Sequence, residues 1–199
     1  MKTVYLIRHG ETLFNQQKKI QGFCDSPLTS YGTSQAYIAK EHIDSLNISV
    51  DKSYTSTAER AIDTMEILTD GPYKRLKGLK EWNFGVFEGE GEHLSPPQPY
   101  KDYFVKYGGE DELEFRNRIN TTITNLVKDF DADNILVVFH GAAMGQFYLQ
   151  WKENSDIRQK GKIKNCSIFK YEYSDKKFTL KEIIDHDFSA IEHLRIKGR

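Results

Sequence analysis

The stretch Val4-Tyr5-Leu6-Ile7-Arg8-His9-Gly10 decides the fold when it is set beside Ile135-Leu136-Val137-Val138-Phe139-His140-Gly141. Each is a short apolar run that stops at His-Gly. Runs of this kind suit strands buried on both faces, the habit of a parallel sheet. Helical patterns alternate with them. Thr29 is placed to cap a helix whose apolar stripe is Ala36, Ile38, Ala39 and Ile43. Ser53 and Tyr54 read as the end of a second strand. Ser56-Thr57-Ala58-Glu59 has capping-box spacing, which puts Arg60 in the first turn of a helix running through Ile62, Met65, Ile67 and Leu68.

Further along, a helix is expected from about Glu110 to Phe130, with Ile119, Ile123, Leu126, Val127 and Phe130 on one face. Ser167–Tyr173 and Phe178–Ile184 flank a Ser174-Asp175-Lys176-Lys177 turn and read as a hairpin. Glu81 to Gly89 is loop-like and aromatic, and Glu90 to Gly109 has weak periodicity broken by Ser95-Pro96-Pro97 and Pro99, so a small cap insertion is taken at about 83–110. The expected architecture is α/β: a three-layer α/β/α sandwich with a mostly parallel central sheet, as one domain over residues 1–199. Sites in such sheets lie beyond the carboxyl ends of the strands. If both His-Gly strands are parallel and central, His9 and His140 meet over one crevice.

Composition narrows the function. The chain has 199 residues, 38% apolar and 29% charged, with a net charge of -1. That balance suits a globular protein and provides no bulk attraction to nucleic acid or an anionic membrane. Any anion site must be local. No apolar run is long enough to span a bilayer, and Arg8 arrives too soon for a signal-peptide core. Cys24 and Cys166 form no metal motif, and are read as reduced thiols in a cytoplasm.

Arg8 and Arg60 sharpen the reading. A guanidinium at a buried strand end needs an anionic partner. One at a helix N-terminus opposes the dipole. Arg60 either pairs with Glu59 or Asp63, or shares a bound phosphate with Arg8, whose oxygens suit guanidinium forks.

Arg8-His9-Gly10-Glu11-Thr12 with Asn15 resembles the signature of the histidine phosphatase (phosphoglycerate mutase-like) superfamily. The resemblance continues through Gln21-Gly22, Asp25, Pro27-Leu28-Thr29, Gly32 and Gln35-Ala36. It resumes at Ser56, Arg60-Ala61 and Thr64, then at Glu81, Phe84-Gly85 and Glu88-Gly89. It ends with His140-Gly141, Asn165-Cys166-Ser167 and His193-Leu194. Four ordered blocks are far harder to match by chance than one short motif.

The resemblance implies that His9 is a nucleophile that forms a phosphohistidine through Nε2 while Nδ1–H is held by a carbonyl. Arg8, Arg60 and His140 would bind the phosphoryl oxygens, with Asn15, Gln21, Gly22 and Gly141 completing the substrate pocket. Glu81 would be the general acid and then base. No metal or other cofactor is implied. A metal site from His9, Glu81 and His140 is disfavoured because the adjacent arginines would repel the ion.

The expected activity is that of a metal-independent phosphomonoester phosphatase acting on a small phosphorylated metabolite. Phosphosugars, phosphoglycerates and nucleotide-like phosphates, α-ribazole phosphate included, are the candidates. A phosphoglycerate-type mutase is the alternative. Family mutases generally carry a longer insertion and a tail that seals the site, whereas this chain has a modest insertion and a short tail, Ile191–Arg199. A non-catalytic phospho-ligand module is disfavoured because all five of Arg8, His9, Arg60, Glu81 and His140 are present. No nucleic-acid or membrane partner is expected, and the sequence specifies no oligomeric state. Phe23, Trp82, Phe87, Tyr100, Tyr103, Phe104 and Tyr107 are expected either to line the substrate pocket or to pack the cap. His42 is read as a surface residue. Glu110, Asp111, Glu112 and Glu114 are read as a solvated helix start.

Overall fold

The computed structural model describes residues 1–128, 131–155 and 157–195. Six strands form one sheet: β1 Lys2–Arg8, β2 Lys52–Ser56, β3 Tyr73–Leu76, β4 Asn134–Phe139, β5 Ile168–Ser174 and β6 Lys177–Ile184. Their order is β3-β2-β4-β1-β5-β6. β3, β2, β4 and β1 are mutually parallel, and β5 and β6 run antiparallel at one edge. The helices are α1 Leu13–Gln16, α2 Ser30–Ser45, α3 Glu59–Leu68, α4 Glu112–Leu126 and α5 Gly141–Trp151.

The strand period of two explains the layers. In β1, Val4 and Leu6 enter a core shared with α4 and α5 through Phe115, Ile119, Ile123, Met144 and Phe147. Tyr5 and Ile7 point the other way, into a core shared with α2 and α3 through Ala36, Ala39, Ile43, Met65 and Leu68. A strand apolar on both faces is thus sandwiched between helices, and the expected α/β architecture stands. β5 and β6 are the expected hairpin, turned at Asp175 and Lys176 with φ of 49° and 62°.

Several local expectations change. β3 was hidden because it is a polar edge strand, with Lys74 and Arg75 exposed. α1 follows β1 closely, in a segment without apolar periodicity; Thr12 caps it in a reciprocal box with Asn15. α4 is shorter than expected, starting at the Asp111 cap, and Phe130 lies outside the described residues. The capping box at Ser56 does not form. Ser56 ends β2, Ala58 is the N-cap of α3, and the Glu59 N–H donates to Asp25 instead. Thr29 caps α2 as expected, accepting from the Gly32 N–H at 2.9 Å. A Cβ on Gly10 would lie 2.4 Å from the Gly32 carbonyl oxygen. This close approach locks the loop after β1 against the start of α2.

Candidate active site

Parallel pairing of β1 with β4 places Arg8 opposite Phe139, so the residues that follow, His9 and His140, leave the sheet at one level. The His9 N–H donates to the Phe139 carbonyl at 3.0 Å. The two rings meet edge to face, with centroids 5.3 Å apart. His9 Nδ1 lies 2.7 Å from the Gly10 carbonyl. A carbonyl only accepts, so Nδ1 carries the proton and Nε2 keeps its lone pair. Burial, then the charges of Arg60 and Arg8, hold the His9 pKa well below the usual imidazole value. The ring is therefore held neutral near neutral pH, with the Nε2 lone pair free.

His140 is fully buried. Its Nε2 lies 2.7 Å from Ser56 Oγ, and its Nδ1 is buried without a partner among the described residues. Burial and the Arg60 charge hold its pKa well below the ordinary value as well.

Arg8 donates from Nη1 to the Ile163 carbonyl at 2.6 Å, and its Nε is buried without a partner among the described residues. Arg60 pairs with neither Glu59 nor Asp63. Nη1 meets Asp25 Oδ1 at 2.8 Å and the Cys24 carbonyl at 3.0 Å, while Nη2 donates to the Gly22 carbonyl at 3.0 Å. Its Nε is buried without a partner among the described residues. The sequence missed this because Asp25 reaches Arg60 across the fold, whereas Glu59 and Asp63 are only near it in sequence.

Glu88 organises the loop that holds Arg60. Its Oε2 accepts from the N–H groups of Gly22 and Cys24 at 3.0 Å each, and its Oε1 from those of Phe23 at 2.7 Å and Phe84 at 3.0 Å. The expectation for Gly22 is corrected on this point: its N–H is committed to Glu88, not to a bound phosphoryl group. The Cys24 thiol is pushed up to about 12 by burial and by Glu88, which leaves little thiolate to react.

Glu81 is buried at the start of α5. Oε1 accepts from the N–H groups of Trp82 and Ala143 at 3.0 Å each, and Oε2 from that of Ala142 at 2.9 Å. Burial raises the carboxyl pKa and outweighs these donors and the arginine charges, which lower it.

Arg8, His9, Asn15, Gln21, Glu81 and Gly141 open on one cavity of about 650 Å³. Arg60 and His140 are wholly buried. Asn15 Oδ1 accepts from Asn165 Nδ2 at 3.1 Å, and the same nitrogen donates to the His9 carbonyl at 3.0 Å. Asn165 thus joins two site residues that are far from it in sequence. The Gln21 amide is tied to Thr12 and Ser26 at 2.7 and 3.1 Å.

The aromatic residues divide. Trp82, Phe84 and Tyr100 line the cavity. Phe87, Tyr103, Phe104 and Tyr107 pack against one another edge to face or tilted, with ring centroids 5.0–6.0 Å apart. Phe23 is 41% exposed under the Lys80 ammonium. His93 is exposed, and His42 is half-buried against His186 rather than on the open surface. The acidic start of α4 is less solvated than expected: Glu110 and Glu112 pair with Arg118 and Arg116 at 2.8 and 3.1 Å, and Asp111 is the helix cap. Among the described residues, no group of three or more His, Cys, Asp or Glu side chains is placed to hold a metal ion. No helix of the described residues is long and apolar enough to cross a membrane.

Two buried histidines over the ends of parallel strands, flanked by two arginines and a buried carboxyl, define an α/β protein with a compact cationic crevice. The chain belongs to the histidine phosphatase superfamily (branch 1), whose model matches residues 4–186. It is 28% identical over 190 residues to a probable phosphoglycerate mutase, GpmB, of Yersinia enterocolitica, covering 88% of this chain and 86% of that one. The phosphoserine phosphatase of Entamoeba histolytica, solved with 3-phosphoglyceric acid, is 26% identical with a TM-score of 0.76, covering 94% of this chain and 99% of that one. A phosphoglycerate mutase from Bacillus anthracis shares the fold at a TM-score of 0.80 and 24% identity, covering 98% and 97% of the two chains.

Proposed function

We propose that this protein is a metal-independent phosphatase that hydrolyses a small phosphomonoester through a phosphohistidine on His9. One observation carries the reading. A neutral His9 with a free Nε2 lone pair stands among buried donors that lack partners: Arg8 Nε, Arg60 Nε and His140 Nδ1. Unpaired buried donors are costly in a folded chain, and a bound oxyanion would satisfy them. Asn15, Gln21 and the backbone at Gly141 complete the cradle. Gly22 contributes indirectly, through its carbonyl on Arg60.

In this reading His9 Nε2 attacks phosphorus, the N–P bond forms and the bond to the leaving oxygen breaks. Glu81 supplies the proton that oxygen needs. Oε2 has one backbone donor against two on Oε1, so it is the oxygen that carries the proton. Water then attacks phosphorus and gives its proton back to Glu81. The N–P bond breaks, and inorganic phosphate leaves. The guanidiniums and His140 supply the positive charge and donors that a metal ion supplies elsewhere. Residues 83–110 act as a cap that shapes the leaving-group side, with Trp82, Phe84 and Tyr100 as apolar walls. Phosphoglycerate and phosphoserine are the first substrates to test, given the names of the related proteins.

The mutase reading draws on the Yersinia relative. It differs in the acceptor: an alcohol in place of water. The deciding experiment follows phosphate release from a panel of phosphomonoesters in EDTA, for the wild type and His9→Ala. Release that depends on His9 supports the phosphatase. Transfer between glycerate positions with little release would replace it with the mutase, and release that survives in His9→Ala would remove His9 as the nucleophile.

A further inference from the structure

We infer that Ser56 is a positioning residue that sets the tautomer of His140, and so decides whether that ring can donate a hydrogen bond into the site while it is uncharged. The inference rests on the proposed phosphatase reading for its catalytic meaning, but not for its geometry.

A neutral imidazole has a single N–H. The His140 ring is buried, with arginine charge nearby, so it is held in the neutral form. Which nitrogen carries the proton then matters. If Nε2 carried it, Nδ1 would present a lone pair to a phosphoryl oxygen and repel it. If Nδ1 carries it, the ring is a donor with no need of a positive charge.

Ser56 decides between the two. Its Oγ accepts from the Ala58 N–H at 3.1 Å and lies 2.7 Å from His140 Nε2. Both residues are fully buried. Were Nε2 protonated, Oγ would accept twice, and its own hydrogen would be left without an acceptor among the described residues, buried away from water. With Nε2 unprotonated, the hydroxyl hydrogen goes to Nε2 and both contacts of Oγ are satisfied. The proton is then on Nδ1, the atom the structure leaves buried and unpartnered.

The hydroxyl hydrogen makes the choice: Oγ accepts from Ala58 in either case, and among the described residues His140 Nε2 is the acceptor within reach of its hydrogen. Ala58 is the N-cap of α3 and has no side chain able to cap. The N–H that Ser56 accepts is held at the start of the helix that carries Arg60. Ser56 therefore links the backbone leading to Arg60 with the donor state of His140.

The test is ¹⁵N NMR of the histidine rings in the intact protein, with His140 assigned by loss of its signals in His140→Gln. The expected result is a protonated Nδ1 and an unprotonated Nε2 in the wild type. A protonated Nε2 in the wild type would overturn the inference, whatever any variant does. Ser56→Ala is expected to populate the other tautomer and to lower kcat about 10- to 100-fold. Ser56→Thr, which keeps the hydroxyl, is expected to restore the tautomer and most of the rate. An unchanged tautomer in a folded Ser56→Ala protein would also sink the idea. If the wild type hydrolyses no phosphomonoester, the phosphatase reading fails while the NMR result still decides the tautomer.

Discussion

The imidazole of His9 stands edge-on to that of His140, with 5.3 Å between ring centroids, and both rings are buried beside arginines. Their folded pKa values therefore lie well below the ordinary imidazole value of 6.5. In the unfolded chain both return to that ordinary value. As pH falls through about 6.5, the unfolded state takes up protons that the folded state refuses, so stability present above that pH is lost below it. Thermal unfolding of the wild type should shift to lower temperature between about pH 7.5 and 5.5. His140→Gln should show a shallower dependence. Parallel curves for the two proteins would show that His140 is not held neutral.

Glu81 is raised by burial, so its carboxyl keeps a proton to higher pH than an ordinary glutamate. In the proposed mechanism it is the acid for the leaving oxygen and must be protonated, so kcat/KM should fall as pH rises through that raised value. Glu81→Gln should remove this limb and slow turnover about 10²–10⁴-fold for alcohol leaving groups. The loss should be smaller for p-nitrophenyl phosphate, whose leaving group needs less proton assistance. Equal losses on both substrates would exclude the acid role.

Gly141 opens α5 where Arg8 passes. A Cβ there would lie 3.1 Å from Arg8 Nε and 3.3 Å from Cδ. Gly141→Ala should displace the guanidinium while leaving the helix intact, since alanine favours helix over glycine. Inhibition by vanadate or phosphate should weaken by about tenfold, the scale of one good hydrogen bond, with little change in melting temperature. Unchanged inhibition would place Arg8 Nε outside the anion site.

Arg195 reaches back to Glu11, two residues after His9, with Nη2 3.2 Å from Oε2. The Glu11 side chain is almost fully buried, whereas Arg195 is half-exposed. Thr29 Oγ1 also donates to Glu11 Oε1 at 3.2 Å, so the carboxylate would keep one partner. Arg195→Ala should cost about 1–2 kcal/mol, below the value for a fully buried pair because solvent screens the exposed partner. Differential scanning calorimetry would read this as a drop of about 2–6 °C. Arg195→Lys should recover part of it. No change in either variant would mean the ion pair contributes nothing to holding the loop after β1.

The amino-acid sequence by itself determined the elements with a strong pattern. The apolar runs before His9 and His140 read as buried strands, and if those strands were parallel and central their endings would bring both histidines over one crevice. Thr29, α2 and the β5–β6 hairpin followed from local capping and turn chemistry. The family blocks marked Arg8, His9, Arg60, Glu81 and His140. Tertiary structure alone decided how those residues are held. Asp25 rather than Glu59 or Asp63 pairs with Arg60. Glu88 takes the Gly22 N–H, Asn165 ties His9 to Asn15, and Ser56 leaves its expected cap to face His140. These contacts join residues distant in sequence, and no local period or spacing encodes them. They form because a buried polar group takes whichever partner the packed chain brings within about 3 Å.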